Sequence, residues 1–103
     1  MKIQLLYFDG CPSWQDGLKN LETVLQELHI DTSPEIIKVM DGADAARLKF
    51  LGSPSFWDDG RDLWLEERES YSLSCRVYST PAGIRGFPKE AMLKEKLIER
   101  INK

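Results

Sequence analysis

The chain has 103 residues, 42% of them hydrophobic and 30% charged, and a formal charge of −3. That length supports one packed core and is short for two ordinary domains, so residues 1–103 are read as a single domain. An acidic balance argues against nucleic-acid binding, which needs clustered Lys and Arg. One histidine, His29, and two cysteines, Cys11 and Cys75, fall short of a four-ligand zinc set without carboxylates, so neither metal nor cofactor is expected.

Met1-Lys2 leads straight into Ile3-Gln4-Leu5-Leu6-Tyr7-Phe8, an apolar run too short for a signal-peptide core or a membrane span. The expectation is a cytoplasmic protein without a membrane partner, whose two cysteines are thiols before they are a structural disulfide. The same run suits a central strand covered on both faces, broken by Asp9-Gly10. From Pro12 the period changes: Trp14, Leu18, Leu21, Leu25 and Leu28 form one stripe of an amphipathic helix. Pro12 fits its first position, which places Cys11 at or beside the N-cap.

Thr32-Ser33-Pro34 is a loop, and Glu35 to Met40 has the β-branched character of a second strand. Asp41 to Leu51 reads as a short helix, capped by Asp41 or Asp44 and ended by Gly52. Ser55 to Asp58 is a third strand, and Asp59-Gly60 is a hairpin turn signal. The fourth strand has two candidates, Asp62 to Leu65 directly across the turn and Leu73 to Tyr78 after an insertion. Asp58 to Glu69 holds six acidic residues against Arg61 and Arg68 and reads as a solvated loop or short helix. Gly83 to Phe87 reads as a flexible approach to Pro88, which opens a last helix with Leu93, Leu97 and Ile101 on one stripe.

The order is therefore β-α-β-α-β-β-α. Alternation implies parallel pairing through right-handed crossovers, and the hairpin adds antiparallel strands, giving an α/β fold with a four-stranded mixed sheet and helices on both faces. This order, with Cys11-Pro12 where the first strand meets the first helix and Ser53-Pro54 before the third strand, resembles the thioredoxin and glutaredoxin families along essentially the whole chain. The resemblance implies that Ser53-Pro54 carries a cis bond, packs against the active cysteine and presents backbone to a bound peptide or glutathione.

The departure from the family pattern lies in the motif itself. Where C-x-x-C has its second cysteine, this chain has Trp14. A second thiol there would attack the mixed disulfide formed by the first, and an indole cannot. Trp14 also begins the apolar stripe, which marks it as a core or rim aromatic.

Cys11, expected exposed, is the candidate nucleophile, because unpaired N–H groups and the positive end of a helix dipole favour thiolate. Asp9, two residues earlier, is read as a turn residue, with proton shuttling as its alternative role. Cys75 depends on the fourth strand. If that strand is Leu73 to Tyr78, Cys75 is buried on a face with Leu73 and Val77 and out of reach of Cys11, the expectation favoured here. If it is Asp62 to Leu65, the loop that follows brings Cys75 to Cys11 as a resolving thiol. Pro12, Trp14, Ser53, Pro54 and Arg85 are candidate substrate-binding residues, Arg85 because an arginine near a helix N-terminus can hold an anion.

Three functions are open at this point. One is a one-cysteine thiol-disulfide oxidoreductase acting on a protein disulfide or a small thiol such as glutathione. Another is a redox-silent binding module using the groove at Pro54 and the aromatics Trp57 or Trp64. The last is thiol-based handling of a soft electrophile, since Gly10 to Trp14 and Cys75 to Tyr78 look similar to segments of small alkylmercury-lyase-like proteins.

Overall fold

The computed structural model describes residues 1–102. Its elements run β1 (Ile3–Tyr7), α1 (Trp14–Glu27), β2 (Glu35–Lys38), α2 (Gly42–Leu48), β3 (Ser55–Asp58), β4 (Arg61–Asp62), β5 (Tyr78–Thr80), β6 (Gly83–Arg85) and α3 (Glu90–Ile101). The first four strands form one mixed sheet in the order β2-β1-β3-β4, with β1 and β2 parallel and the other neighbours antiparallel. Strands β5 and β6 form a separate antiparallel hairpin.

Successive side chains of a strand point to opposite faces, and β1 is apolar on both. Ile3 and Leu5 pack with Leu21, Val24 and Leu25 of α1, with Phe56, and with Leu93 and Leu97 of α3. Leu6 points the other way, to Val39, Phe50 and Ala45 of α2. Two helices thus cover one face and one helix the other, as the apolar run and the alternation of elements imply. Each fully buried Leu of this set contributes roughly 1.5–3 kcal/mol of transfer free energy.

Helix α1 begins later than Pro12 suggests. The backbone N–H of Cys11 donates to Phe8 O at 3.2 Å, a turn rather than a helical bond, and the first helical bond runs from Gly17 N to Ser13 O at 3.1 Å. Ser13 is the N-cap, so Cys11 precedes it by two residues. Helix α2 starts as expected: the Asp41 carboxylate accepts the Asp44 N–H at 2.8 Å. It ends at Lys49, which takes a left-handed conformation, not at Gly52. Ile101, assigned to the stripe of Leu93 and Leu97, is half exposed while those two are buried.

The fourth strand does lie directly across the Asp59-Gly60 turn, but it is Arg61–Asp62, shorter and earlier than the expected Asp62 to Leu65. Both turn residues have positive φ, as a two-residue hairpin turn requires, and Arg61 and Asp62 pair with Asp58 and Trp57. Leu73 to Tyr78 touches the sheet at a single parallel bridge between Cys75 and Ser53. Gly83 to Phe87, expected as a flexible approach, instead begins with β6. In the acidic stretch, Asp62 and Leu63 are buried and Glu66 to Glu69 face solvent.

No helix among the described residues is long and apolar enough to cross a membrane.

Candidate functional site

The site is built around Ser53, which lies just before β3 and is joined to Pro54 by a cis peptide bond. Ser53 N donates to Ser74 O at 2.8 Å, and Ser53 O accepts Arg76 N at 2.9 Å. These two bonds lay the 74–76 segment alongside Ser53. From the other side, the Cys11 thiol donates to the same Ser53 carbonyl at 3.2 Å. The consequence is that Cys11 and Cys75 flank one residue.

Their surroundings differ in a way that reverses both expectations. Cys11, expected exposed, is only 2% exposed, because the Phe8–Cys11 turn directs it inward onto Ser53. Cys75, expected buried, is exposed, because its segment runs along the sheet margin instead of entering the sheet. Partial desolvation raises the Cys75 thiol above its ordinary value, and a hydrogen bond and charge interaction with Cys11 raise it further. Both are free thiols.

The 74–78 segment is held by buried polar groups. Arg76 Nη1 donates to Asp62 Oδ2 at 2.8 Å and to Ser55 Oγ at 3.3 Å, while Nη2 donates to Trp64 O at 2.6 Å. Arg76 and Asp62 are both nearly inaccessible. Asp62 also accepts Trp64 N at 2.7 Å, which ends β4 and turns the chain. Two residues on, the Tyr78 hydroxyl donates to Pro54 O at 2.6 Å. Burial pushes that phenol well above its usual value, so it remains a donor at any physiological pH.

Glycine matters at two positions here. Gly52 has φ of +117°, and a Cβ on it would stand 2.8 Å from Arg76 Cβ and 3.1 Å from Arg76 Cα. Gly17 of α1 lies against the ring atoms of Phe56 and Pro54, each 3.1 Å from where its Cβ would be. The first lets the Cys75 segment reach Ser53; the second lets Pro54 seat against α1.

The remaining candidate residues are distributed unevenly. Trp14 stacks on Tyr7, centroids 4.0 Å apart at 19°, and packs half-buried against the α1 core. Pro12 is exposed beside Cys11. Asp9 is also exposed, and its carboxylate pairs with Lys38 Nζ at 2.6 Å. Arg85 is exposed, donates to Ile84 O at 3.0 Å, and lines a separate hollow with Asn20, Phe87 and Lys89. Neither cysteine lines that hollow. Trp57 and Trp64 are half-buried in the two core clusters.

Cys75 lines a cleft of about 770 Å³ between residues 63–68, residues 75–79 and α3. Sequence reasoning named several residues of this wall, among them Trp64, Leu65, Arg68, Cys75, Val77 and Tyr78, without bringing them together in one cleft. The early signal was the candidate fourth strand at Asp62 to Leu65, which leaves the later residues free to return to the site.

Among the described residues no group of three or more His, Cys, Asp and Glu side chains is placed to hold a metal ion. Comparison of the chain with protein-family models, with curated proteins and with solved structures finds no match.

Proposed function

We propose that this protein is a thioredoxin-like thiol-disulfide oxidoreductase whose redox pair is Cys11 and Cys75. The observation that carries the reading is the flanking of Ser53 by both cysteines, one through the thiol hydrogen bond and the other through the backbone bridge. Supporting it, the element order through β4 and the final α3 is the one the family resemblance implies, with β5 and β6 added before the last helix. The cis Ser53-Pro54 bond beside Cys11 fits the same resemblance.

The departure at Trp14 then has a remedy: the second thiol comes from a distant part of the chain. In the reducing direction, one cysteine thiolate attacks a sulfur of the substrate disulfide and the substrate S–S bond breaks. One substrate thiolate leaves and takes a proton. The other cysteine, giving up its proton, attacks the mixed disulfide and displaces the second substrate thiol, leaving Cys11 and Cys75 joined. The protein loses two electrons and the substrate gains them. A dithiol, or two equivalents of a small thiol such as glutathione, restores the reduced pair. A protein disulfide or a small disulfide can serve as the oxidised substrate.

Oxidation with a small excess of a low-molecular-weight disulfide, followed by peptide mass spectrometry, tests the reading. The expected product links the Cys11 and Cys75 peptides within one chain and is two hydrogens lighter than the reduced protein. Wild type should also catalyse reduction of that disulfide by dithiothreitol, and Cys11→Ser and Cys75→Ser should not. Two thiols that stay free, or that link only between molecules, would overturn it.

A further inference from the structure

The exchange reading leaves open what kind of disulfide meets the pair and by what contact, and the inference that follows rests on it. Cys11 is almost fully buried with its thiol on Ser53 O, whereas Cys75 is exposed. An attacking sulfur has to reach a substrate sulfur, so the first exchange falls to Cys75.

The backbone at Cys75 has one closed side and one open side. Ser53 N–H is spent on Ser74 O, and Ser53 O takes both the Arg76 N–H and the Cys11 thiol, so Ser53 keeps no free main-chain group for an incoming chain. From Cys75 to Thr80 exposed and buried residues alternate strictly, the period of an extended chain. In such a chain the N–H and C=O of successive residues point to opposite sides. Ser74 O and Arg76 N–H face Ser53, so the N–H and C=O of Cys75 face away from it. Among the described residues neither Cys75 nor Val77 gives a main-chain group to a hydrogen bond. A row of unpaired N–H and C=O groups is a template for a further strand.

The side chains along this edge belong to the 770 Å³ cleft: Cys75, Val77 and Ser79 line it, as do Trp64 and Leu65. Val77 and Leu65 are 65% and 60% exposed. Each cation of the cleft is matched, Arg68 by Glu66, Arg76 by Asp62 and Lys96 by Glu99. What the cleft offers a side chain is therefore apolar contact.

We propose that the substrate is a disulfide carried by a polypeptide, which binds in extended form as a strand added to the free edge of residues 75–79, its cysteine beside Cys75 and a neighbouring apolar side chain in the cleft. Main-chain pairing supplies the affinity and the cleft the side-chain preference. The Cys75 thiolate attacks the cysteine sulfur of the docked chain, the S–S bond breaks, and the partner sulfur leaves and takes a proton. Cys11, giving up its proton, then attacks Cys75 Sγ, and the docked chain departs as a thiol with Cys11 and Cys75 joined.

The test follows single-turnover release of thionitrobenzoate by the full chain. One substrate is a short Val/Thr peptide with a central cysteine in mixed disulfide with thionitrobenzoate; the other is N-acetylcysteine amide carrying the same leaving group. Each rate is divided by the rate with dithiothreitol, which removes intrinsic differences in reactivity. On that scale the peptide should react about tenfold faster than the capped cysteine, what two net main-chain hydrogen bonds supply. Two N-methylated isomers of the peptide locate the contact, one methylated at the cysteine and the residue two after it, the other at the residues one before and one after it. A strand joins through one edge only, so one isomer should fall to the capped-cysteine rate and the other keep most of the advantage. Val77→Pro removes an outward N–H that bonds nothing in the protein. It should slow the peptide and leave the capped cysteine unchanged, which also reports that the thiol and fold are intact. Cys75→Ser should lose the first release, and Cys11→Ser should keep it. Equal normalised rates for peptide and capped cysteine, equal rates for the two isomers, or a first release that survives Cys75→Ser and is lost in Cys11→Ser would overturn the inference while the exchange reading stands. Failure of wild type to form the Cys11–Cys75 disulfide would remove both.

Discussion

The carbonyl of Ser53 accepts the Cys11 thiol at 3.2 Å, and the same oxygen accepts the backbone N–H of Arg76 at 2.9 Å. One backbone group therefore sets the position of the buried cysteine and of the segment that carries the exposed one. Whatever displaces the 74–76 segment from Ser53 should separate the thiols without touching either.

Gly52→Ala is the sharpest such displacement. The native φ of +117° is unfavourable for any residue with a Cβ, and that Cβ would enter the backbone and Cβ of Arg76. The expected cost is about 1–3 kcal/mol, the range for a residue held in a disfavoured backbone region. Urea denaturation should show a lower midpoint, and stopped oxidation assays should show slower closure of the Cys11–Cys75 disulfide. An unchanged closure rate in a destabilised variant would mean that the contact holds the fold but not the thiols.

The Arg76–Asp62 pair supports the same segment from inside the protein. Removing one partner leaves a buried charge uncompensated, so Arg76→Ala and Asp62→Ala should each cost about 3–5 kcal/mol. In a domain near 100 residues that lowers the melting temperature by more than about 10 °C. The double variant Arg76→Met/Asp62→Leu should recover part of the loss, because no unpaired charge remains. Full recovery is not expected, since Asp62 also accepts the Trp64 N–H and Arg76 the Trp64 carbonyl. Calorimetry of the three variants measures the coupling.

Much of this framework can be read from local patterns. The apolar run at Ile3, the stripe from Trp14 to Leu25, the Asp41 cap and the Asp59-Gly60 turn each follow from period or turn chemistry, and each is found. The site was less legible because it depends on a contact across 22 residues, between Ser53 and Cys75, carried by backbone atoms. Alternation of Leu73, Cys75 and Val77 suggested a strand face. Leu73 and Val77 are both partly or largely exposed, so the same pattern here follows a sheet margin with no partner on its outer side. The position of Arg76 was hidden for a related reason: its partner, Asp62, lay in an acidic run that charge patterning assigns to solvent.

Tyr78→Phe isolates the contact between this segment and Pro54. The variant keeps the ring, with its edge-on packing against Phe56 and Trp64, and loses the hydroxyl that satisfies the Pro54 carbonyl. A buried acceptor left without its donor costs about 1–3 kcal/mol. Denaturant titration should fall in that range with an unchanged m-value, since the surface exposed on unfolding is nearly the same. A cost near zero would show that another donor takes the place of the hydroxyl.

The pH profile of Cys75 reports the pair directly. Partial burial comes first among the causes holding this thiol above its ordinary value, and interactions with Cys11 add to it. Alkylation follows the thiolate, so the wild-type Cys75 peptide should reach half its maximal iodoacetamide rate above the free-thiol midpoint of about 8.5. Cys11→Ala removes the contributions from Cys11 and leaves desolvation, so the midpoint should move down. The linked stability effect has a definite sign: a thiol whose folded value is raised favours the fold fully below its unfolded pKa, and the contribution is lost as pH rises through the folded one. Because Cys75 is exposed, that effect should be small beside the change in rate. Peptide-resolved alkylation from pH 6 to 11 checks both variants, and a midpoint that does not move on removing Cys11 would mean that the two sulfurs do not interact in solution.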